Sequence, residues 1–290
     1  MLPEFDLWVP KTLSEALDML AQSPAPVTPV AGGTSLIPDL RVGRQRPAVL
    51  MDISRLAELR GIRREDGYLV VGAGTRIAEL LTHPLIAQHA DVLRQAAAVF
   101  ANPLVRNRAT IGGNLADAAP CADTAPPLIV LGGEVALTSR AGTRYVPVEK
   151  FMVDVRKTVR RPDELLTAVR WPLPATDSAA AFYKFGLRRA DAIAVLSVAV
   201  MLTMGSDGRC REARIALGSV APTPVRAPAA EELLRGQAPS SDLIAEAARL
   251  AAEAARPIDD IRGTAAYRRR VLGVVTRRLL TSVAGQLSKG

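Results

Sequence analysis

Two short stretches, Pro29-Val30-Ala31-Gly32-Gly33-Thr34-Ser35-Leu36 and Thr110-Ile111-Gly112-Gly113-Asn114, set the tightest limit on what this chain can fold into. Each places adjacent glycines beside hydroxyl side chains. A Cβ would keep a ligand away from backbone N–H groups, so such pairs suit the close approach of an anion. Two of them predict one anion gripped from two sides. The second pair belongs to a longer stretch, from Val99 through Pro120-Cys121-Ala122-Asp123-Thr124, that holds a hydroxyl, an amide and a carboxylate. It has no metal-ligand spacing and no nucleophile beside a base, so it reads as a binding surface without catalytic residues. Asp123 is suited to accept from a ribose hydroxyl or an adenine amine.

With 290 residues the chain exceeds one ordinary core, and changes of texture divide it at 1–60, 61–177 and 178–290. A hydrophobic fraction of 49% with 23% charged residues belongs to a folded body. The longest apolar run, Ala192 to Met204, is shorter than the ~18–20 residues of a membrane helix and reads as a buried strand, so no membrane span is expected. The acidic start Met1-Leu2-Pro3-Glu4-Phe5-Asp6 lacks the features of a signal peptide, which predicts a cytoplasmic location. Cys121 and Cys210 are too few for a [2Fe–2S] cluster, so no metal is expected in this chain. The net charge of +8 comes mostly from scattered arginines, and only 4% of residues are aromatic, which speaks against nucleic acid as a partner. His83 and His89 read as surface residues in a helix-breaking segment, and no catalytic triad is available without them.

Hydrophobic periodicity predicts a capped helix over Thr12–Ala21, a strand over Val27–Ala31, a short helix over Leu36–Leu40, a strand over Val49–Ile53 and a helix around Arg55–Leu59. Tyr68 to Thr75 resembles the opening of a dinucleotide fold, but Ile77 stands where the third glycine belongs, so a strand turning into the helix Arg76–Leu81 is the better reading. A helix over Val92–Phe100 ends at Asn102-Pro103. Leu128–Leu131 is a buried helix end or strand, Glu134–Ser139 an edge strand, and Arg144–Val148 its hairpin partner. Strands follow at Phe182–Gly186, Ile193–Thr203 and Arg211–Gly218, then helices at Leu243–Ala255 and Thr264–Ser282. In the last helix Val271, Leu272, Val275 and Leu279 line one face, and Arg268, Arg269, Arg277 and Arg278 read as a solvated one.

Ala31-Gly32-Gly33-Thr34-Ser35, Thr110-Ile111-Gly112-Gly113-Asn114, Ala122-Asp123-Thr124 and Tyr183-Lys184-Phe185-Gly186-Leu187-Arg188-Arg189 together resemble the FAD-binding medium subunit of molybdenum hydroxylases, the xanthine dehydrogenase and carbon monoxide dehydrogenase family. The four motifs occur in order, and the likeness covers essentially the whole chain. It implies an α+β protein: a PCMH-type FAD-binding fold of two α/β subdomains, plus a C-terminal domain with a small antiparallel sheet and a helical bundle. It implies that Pro29, Val30, Ala31, Gly32, Gly33, Thr34, Ser35 and Leu36 form one FAD loop, and Ile111, Gly112, Gly113 and Asn114 a second. Phe100 and Leu166 then match apolar neighbours of the flavin, while Thr110, Asp123 and Lys184, with Tyr183 beside it, match polar contacts. The resemblance further implies partners: an iron–sulfur small subunit with [2Fe–2S] clusters and a large subunit with molybdenum-pterin, assembled as a dimer of heterotrimers. On that reading the chain passes electrons through FAD to an external acceptor. A self-sufficient FAD-dependent reductase or oxidase is the alternative, and a non-enzymatic nucleotide-binding module a third.

Overall fold

The computed structural model describes residues 2–188 and 191–288, so Arg189 of the fourth motif lies outside the described residues. The first part runs β1 (Asp6–Trp8), α1 (Leu13–Gln22), β2 (Val27–Val30), α2 (Leu36–Arg41) and β3 (Val49–Asp52). Thr12 caps α1 as its sequence position requires: its side chain accepts from Glu15 N, and the Glu15 carboxylate accepts from Lys11 N at 2.6 Å. Ala16, Leu17 and Leu20 of α1 are buried with Val27, Val49 and Met51. The three strands form a parallel sheet in the order β1-β3-β2, so the glycine loop leaves the C-terminal end of the edge strand β2. The helix expected around Arg55–Leu59 is a single 3-10 turn, Ala57–Leu59.

The second part begins with the hairpin β4 (Ile62–Glu65) and β5 (Tyr68–Gly72). Helices α3 (Ile77–Thr82), α4 (Pro84–His89), α5 (Asp91–Ala98), α6 (Pro103–Arg106), α7 (Ile111–Ala116) and α8 (Ala125–Val130) follow. The chain then returns through β6 (Glu134–Ser139), β7 (Gly142–Pro147), α9 (Val148–Phe151), the small hairpin β8 (Met152–Asp154) and β9 (Lys157–Thr158), and β10 (Leu165–Pro172). The antiparallel sheet has the order β4-β5-β10-β6-β7. The strand at Glu134–Ser139 is therefore interior and not an edge, because β10 inserts beside it. Leu128–Leu131 resolves as the end of helix α8. His83 is half-buried, with its Nδ1 accepting from Leu85 N at 3.3 Å to cap α4, and His89 is also half-buried.

The third part is a sheet in the order β11-β12-β13-β14, from β11 (Ser178–Gly186), β12 (Ala194–Met204), β13 (Cys210–Gly218) and β14 (Val225–Arg226). It carries α10 (Pro228–Leu234), α11 (Ser241–Ala254) and α12 (Ala265–Leu287). β12 is apolar without alternation because both faces are covered. Ala199 and Met201 join the core of the second part, while Leu196, Val198, Val200 and Leu202 face the C-terminal helices. Gln95 of α5 ties the layers together, its Oε1 accepting from Phe182 N at 2.8 Å. No helix among the described residues is long and apolar enough to cross a membrane.

Arg268 corrects the expected polar face of α12, being only 1% exposed. It lies on the stripe of Leu272 and Val275, and it donates to the carbonyls of Val195 at 3.1 Å, Ile258 at 2.9 Å and Ser219. Asp260 sits 3.4 Å away. One side chain thus satisfies three carbonyls and pins α12 to the sheet. Arg268→Met strands those buried acceptors, which should cost about 3 kcal/mol or more. Urea unfolding is expected to show a clearly lowered midpoint, with Arg268→Lys recovering only a fraction; an unchanged midpoint for Arg268→Met would mean that water takes over the carbonyls.

Candidate functional site

The segment between β2 and α2 must turn sharply to start a helix from a parallel strand, and Gly33 does so with a φ of +71°. Gly32 is small for a different reason: a Cβ there would lie 2.0 Å from the Arg108 carbonyl oxygen, so the loop can meet the second part only as glycine. Among the described residues, the backbone N–H groups of Gly32, Gly33, Thr34 and Ser35 have no protein acceptor. Consecutive unpaired N–H groups around a left-handed residue form an anion-binding concavity. The Ser35 hydroxyl is already spent, donating to Asp117 Oδ1 at 2.7 Å. Arg156, in the β8–β9 turn, pairs with that same Asp117 and with Asp39 at 3.3 Å, locking the loop across the interface.

The second glycine pair differs from its expected form. Gly112 and Gly113 are not a loop but the first turn of α7, with Thr110 as N-cap. Their N–H groups are already used: Ile111 N donates to Thr75 O at 3.0 Å, Gly112 N to Ala73 O at 2.9 Å and Gly113 N to Thr110 Oγ1 at 3.0 Å. N–H groups without a protein acceptor are therefore offered by the first loop and not by the Gly112-Gly113 pair. A Cβ on Gly112 would lie 2.5 Å from Ala73 Cβ, so this glycine lets α7 start against the end of β5. Gly113 is exposed, and a Cβ there would meet only Thr110 Oγ1, at 2.8 Å. Asn114 turns its Oδ1 to Thr124, accepting from Thr124 Oγ1 at 2.7 Å.

These elements surround a cavity of about 470 Å³ at the meeting of all three parts. Of the residues expected from sequence, Pro29 to Leu36, Phe100, Thr110, Gly112, Gly113, Asn114, Asp123, Leu166 and Lys184 line it. Two do not. Ile111 is fully buried in the core beneath α7, and Tyr183 is 48% exposed outside the cavity. Neighbouring residues on a strand point to opposite faces, so Tyr183 cannot share the side of Lys184. Asp117 and Cys121, which fall within the stretch from Val99 to Thr124 without having been named as contacts, also line the cavity, as do Arg160, Asp191 and Ile193, which were not foreseen.

Lys184 Nζ reaches Asp123 Oδ2 at 2.6 Å and the Val99 carbonyl at 3.2 Å. Both side chains are nearly sealed, 6% exposed for Lys184 and 8% for Asp123. Asp123 Oδ1 is buried with no partner among the described residues. Burial outweighs the lysine and pushes the Asp123 carboxyl up to about 6. Because this folded-state value lies above the ordinary 3.8, the folded chain holds that proton more tightly. The contribution to stability is full below the ordinary value and is lost as pH rises through about 6.

Lys184→Met leaves a buried carboxylate alone and should cost about 3–5 kcal/mol at neutral pH, with Asp123→Asn/Lys184→Met recovering much of the loss. At pH 5 the cost of the single variant should shrink, because Asp123 can take up a proton. Denaturation midpoints at the two pH values report both effects, and a pH-independent cost would contradict the pairing.

Residues 3–174 match the FAD binding domain in molybdopterin dehydrogenase, and residues 181–283 the CO dehydrogenase flavoprotein C-terminal domain. The 6-hydroxypseudooxynicotine dehydrogenase complex subunit alpha of Paenarthrobacter nicotinovorans is 36% identical, over 96% of this chain and 94% of that one. The carbon monoxide dehydrogenase medium chain of Afipia carboxidovorans is 35% identical over 96% of each. A solved carbon monoxide dehydrogenase from Hydrogenophaga pseudoflava, lacking the Mo-pyranopterin moiety of its cofactor, superposes with a TM-score of 0.94 at 34% identity, covering 99% of both chains. With both domain models matched in order and relatives aligned along nearly its whole length, the chain belongs to the family of the FAD-binding medium subunits of molybdopterin dehydrogenases.

Proposed function

We propose that this chain is the FAD-carrying electron-transfer subunit of a cytoplasmic molybdenum hydroxylase, taking electrons from the iron–sulfur clusters of a small subunit and delivering them to an external acceptor. A large subunit bearing molybdenum-pterin hydroxylates the substrate, and the complex is a dimer of heterotrimers. The observation that carries the reading is the row of N–H groups from Gly32 to Ser35, without acceptors among the described residues, in the lining of a cavity that all three parts of the chain wall in.

The residues present fit FAD. Four N–H donors without acceptors suit its diphosphate. Val30, Ile53, Leu59, Phe100, Leu165 and Leu166 offer an apolar wall for rings, and the unpartnered Asp123 Oδ1 offers an acceptor for a ribityl hydroxyl or ring N–H. On this proposal Pro29 to Leu36 hold the diphosphate, Thr110, Gly112, Gly113 and Asn114 shape the opposite wall, and Asp123 with Lys184 fixes the polar end. When bound, FAD supplies the exchange of one or two electrons, which joins one-electron clusters to a two-electron acceptor. The chain's own part is to bind, orient and shield. The subdomains proposed for this work are 1–60, 61–177 and 178–290, each supplying one wall.

Purified chain should carry a flavin spectrum, and acid precipitation should release FAD into the supernatant. Flavin in the pellet would instead point to covalent attachment, for which Cys121 is the thiol in the cavity wall. Gly113→Val places a branched side chain into the cavity from an exposed helical position. It should empty the site while the far-ultraviolet circular dichroism stays close to that of the unaltered chain and the unfolding midpoint falls only modestly, from crowding of the Thr110 cap. Full flavin content in that variant would show that Gly113 is only a turn residue and not part of the cofactor's wall.

A further inference from the structure

The charges around the cavity cancel in pairs except at one side chain. Asp123 is held by Lys184, Asp117 by Arg156, and Asp191 lies 3.9 Å from Arg188. Arg160, which follows β9 and lines the cavity, has no carboxylate within ion-pair distance among the described residues. Its Nη1 donates to the carbonyls of Glu164 at 2.7 Å and Arg161 at 3.1 Å, which fixes the side chain and leaves Nε and Nη2 without protein acceptors. The nearest acid cannot serve it. Glu164 gives one oxygen to Arg144 Nε at 2.6 Å and the other to Arg144 Nη2 at 2.9 Å and Arg161 N at 2.8 Å. Burial lowers the Arg160 guanidinium below its ordinary value despite the nearby Glu164 and Asp163, the mark of a cation short of compensation. A guanidinium held rigid and half-buried without a counter-ion is costly unless a ligand brings the negative charge.

We propose that Arg160 is the charge partner of the FAD diphosphate, acting with the Gly32–Ser35 N–H row and selecting the dinucleotide over flavins without phosphate. The assignment rests on the FAD reading above. Two oxyanions then meet fixed backbone donors and one fork of side-chain donors, which is the geometry in which arginine outperforms lysine.

Apoprotein freed of flavin is titrated with FAD and with riboflavin, following fluorescence quenching at several salt concentrations. Arg160→Met should weaken FAD binding roughly tenfold to a hundredfold and flatten its salt dependence, while riboflavin affinity stays the same. Arg160→Lys should recover part of the loss, and unchanged urea midpoints of the apo variants exclude a folding defect. Unaltered FAD affinity and salt slope in Arg160→Met, or equal losses for FAD and riboflavin, would overturn the assignment while leaving the FAD reading intact. Unaltered protein that takes up no FAD would overturn the cofactor reading and the assignment with it.

Discussion

The site depends on two places where backbones touch. At Gly32 the first loop lies against the Arg108 carbonyl, and at Gly112 the start of α7 lies against Ala73. Neither contact leaves room for a Cβ, so Gly32 lets the first part close against the second and Gly112 lets α7 start against the end of β5. Gly32 to Ser35 line the cavity with N–H groups that have no acceptor among the described residues. Glycine here serves the protein's own packing first. The ligand approach follows from it.

Charge pairing completes what packing begins. Arg156 bridges Asp117 and Asp39 and, through Asp117, holds Ser35, joining a loop near residue 35 to a helix end near residue 117. Lys184 brings β11 to Asp123 and to the end of α5. These pairs close the cavity from two sides and leave Arg160 as its one uncompensated cation among the described residues. A wall that is neutral in pairs and positive at one place suits a ligand whose charge is concentrated in a diphosphate.

Much of this was legible in the sequence, because the signals are local. Thr12 and Glu15, the glycine pairs and the largely apolar β12 each announce themselves within a few residues. What escaped depends on partners far along the chain. Asp117 meets Ser35 across 82 positions, and β10 enters the sheet beside β6 although Arg170 and Pro172 blur its pattern. Gly112 looked like part of a second cradle because nothing local reveals that Ala73 takes its N–H, whereas the capping of Gly113 N by Thr110, three residues earlier, was readable. Two misreadings had usable signals. Tyr183 and Lys184 are adjacent on a strand and cannot face the same cavity, and Arg268 stands four and seven residues before Leu272 and Val275, on the buried stripe.

The central claim, that the chain binds FAD as one station in a longer electron path, is tested most directly by anaerobic reduction followed in the flavin absorption band. The isolated chain is expected to bleach with dithionite and to stay oxidised with purines, aldehydes, N-heterocycles or carbon monoxide. Adding the iron–sulfur and molybdenum subunits with their substrate should then bleach it. Rapid bleaching of the isolated chain by an organic substrate, with no partner present, would contradict the subunit role and establish a self-sufficient flavoenzyme in its place.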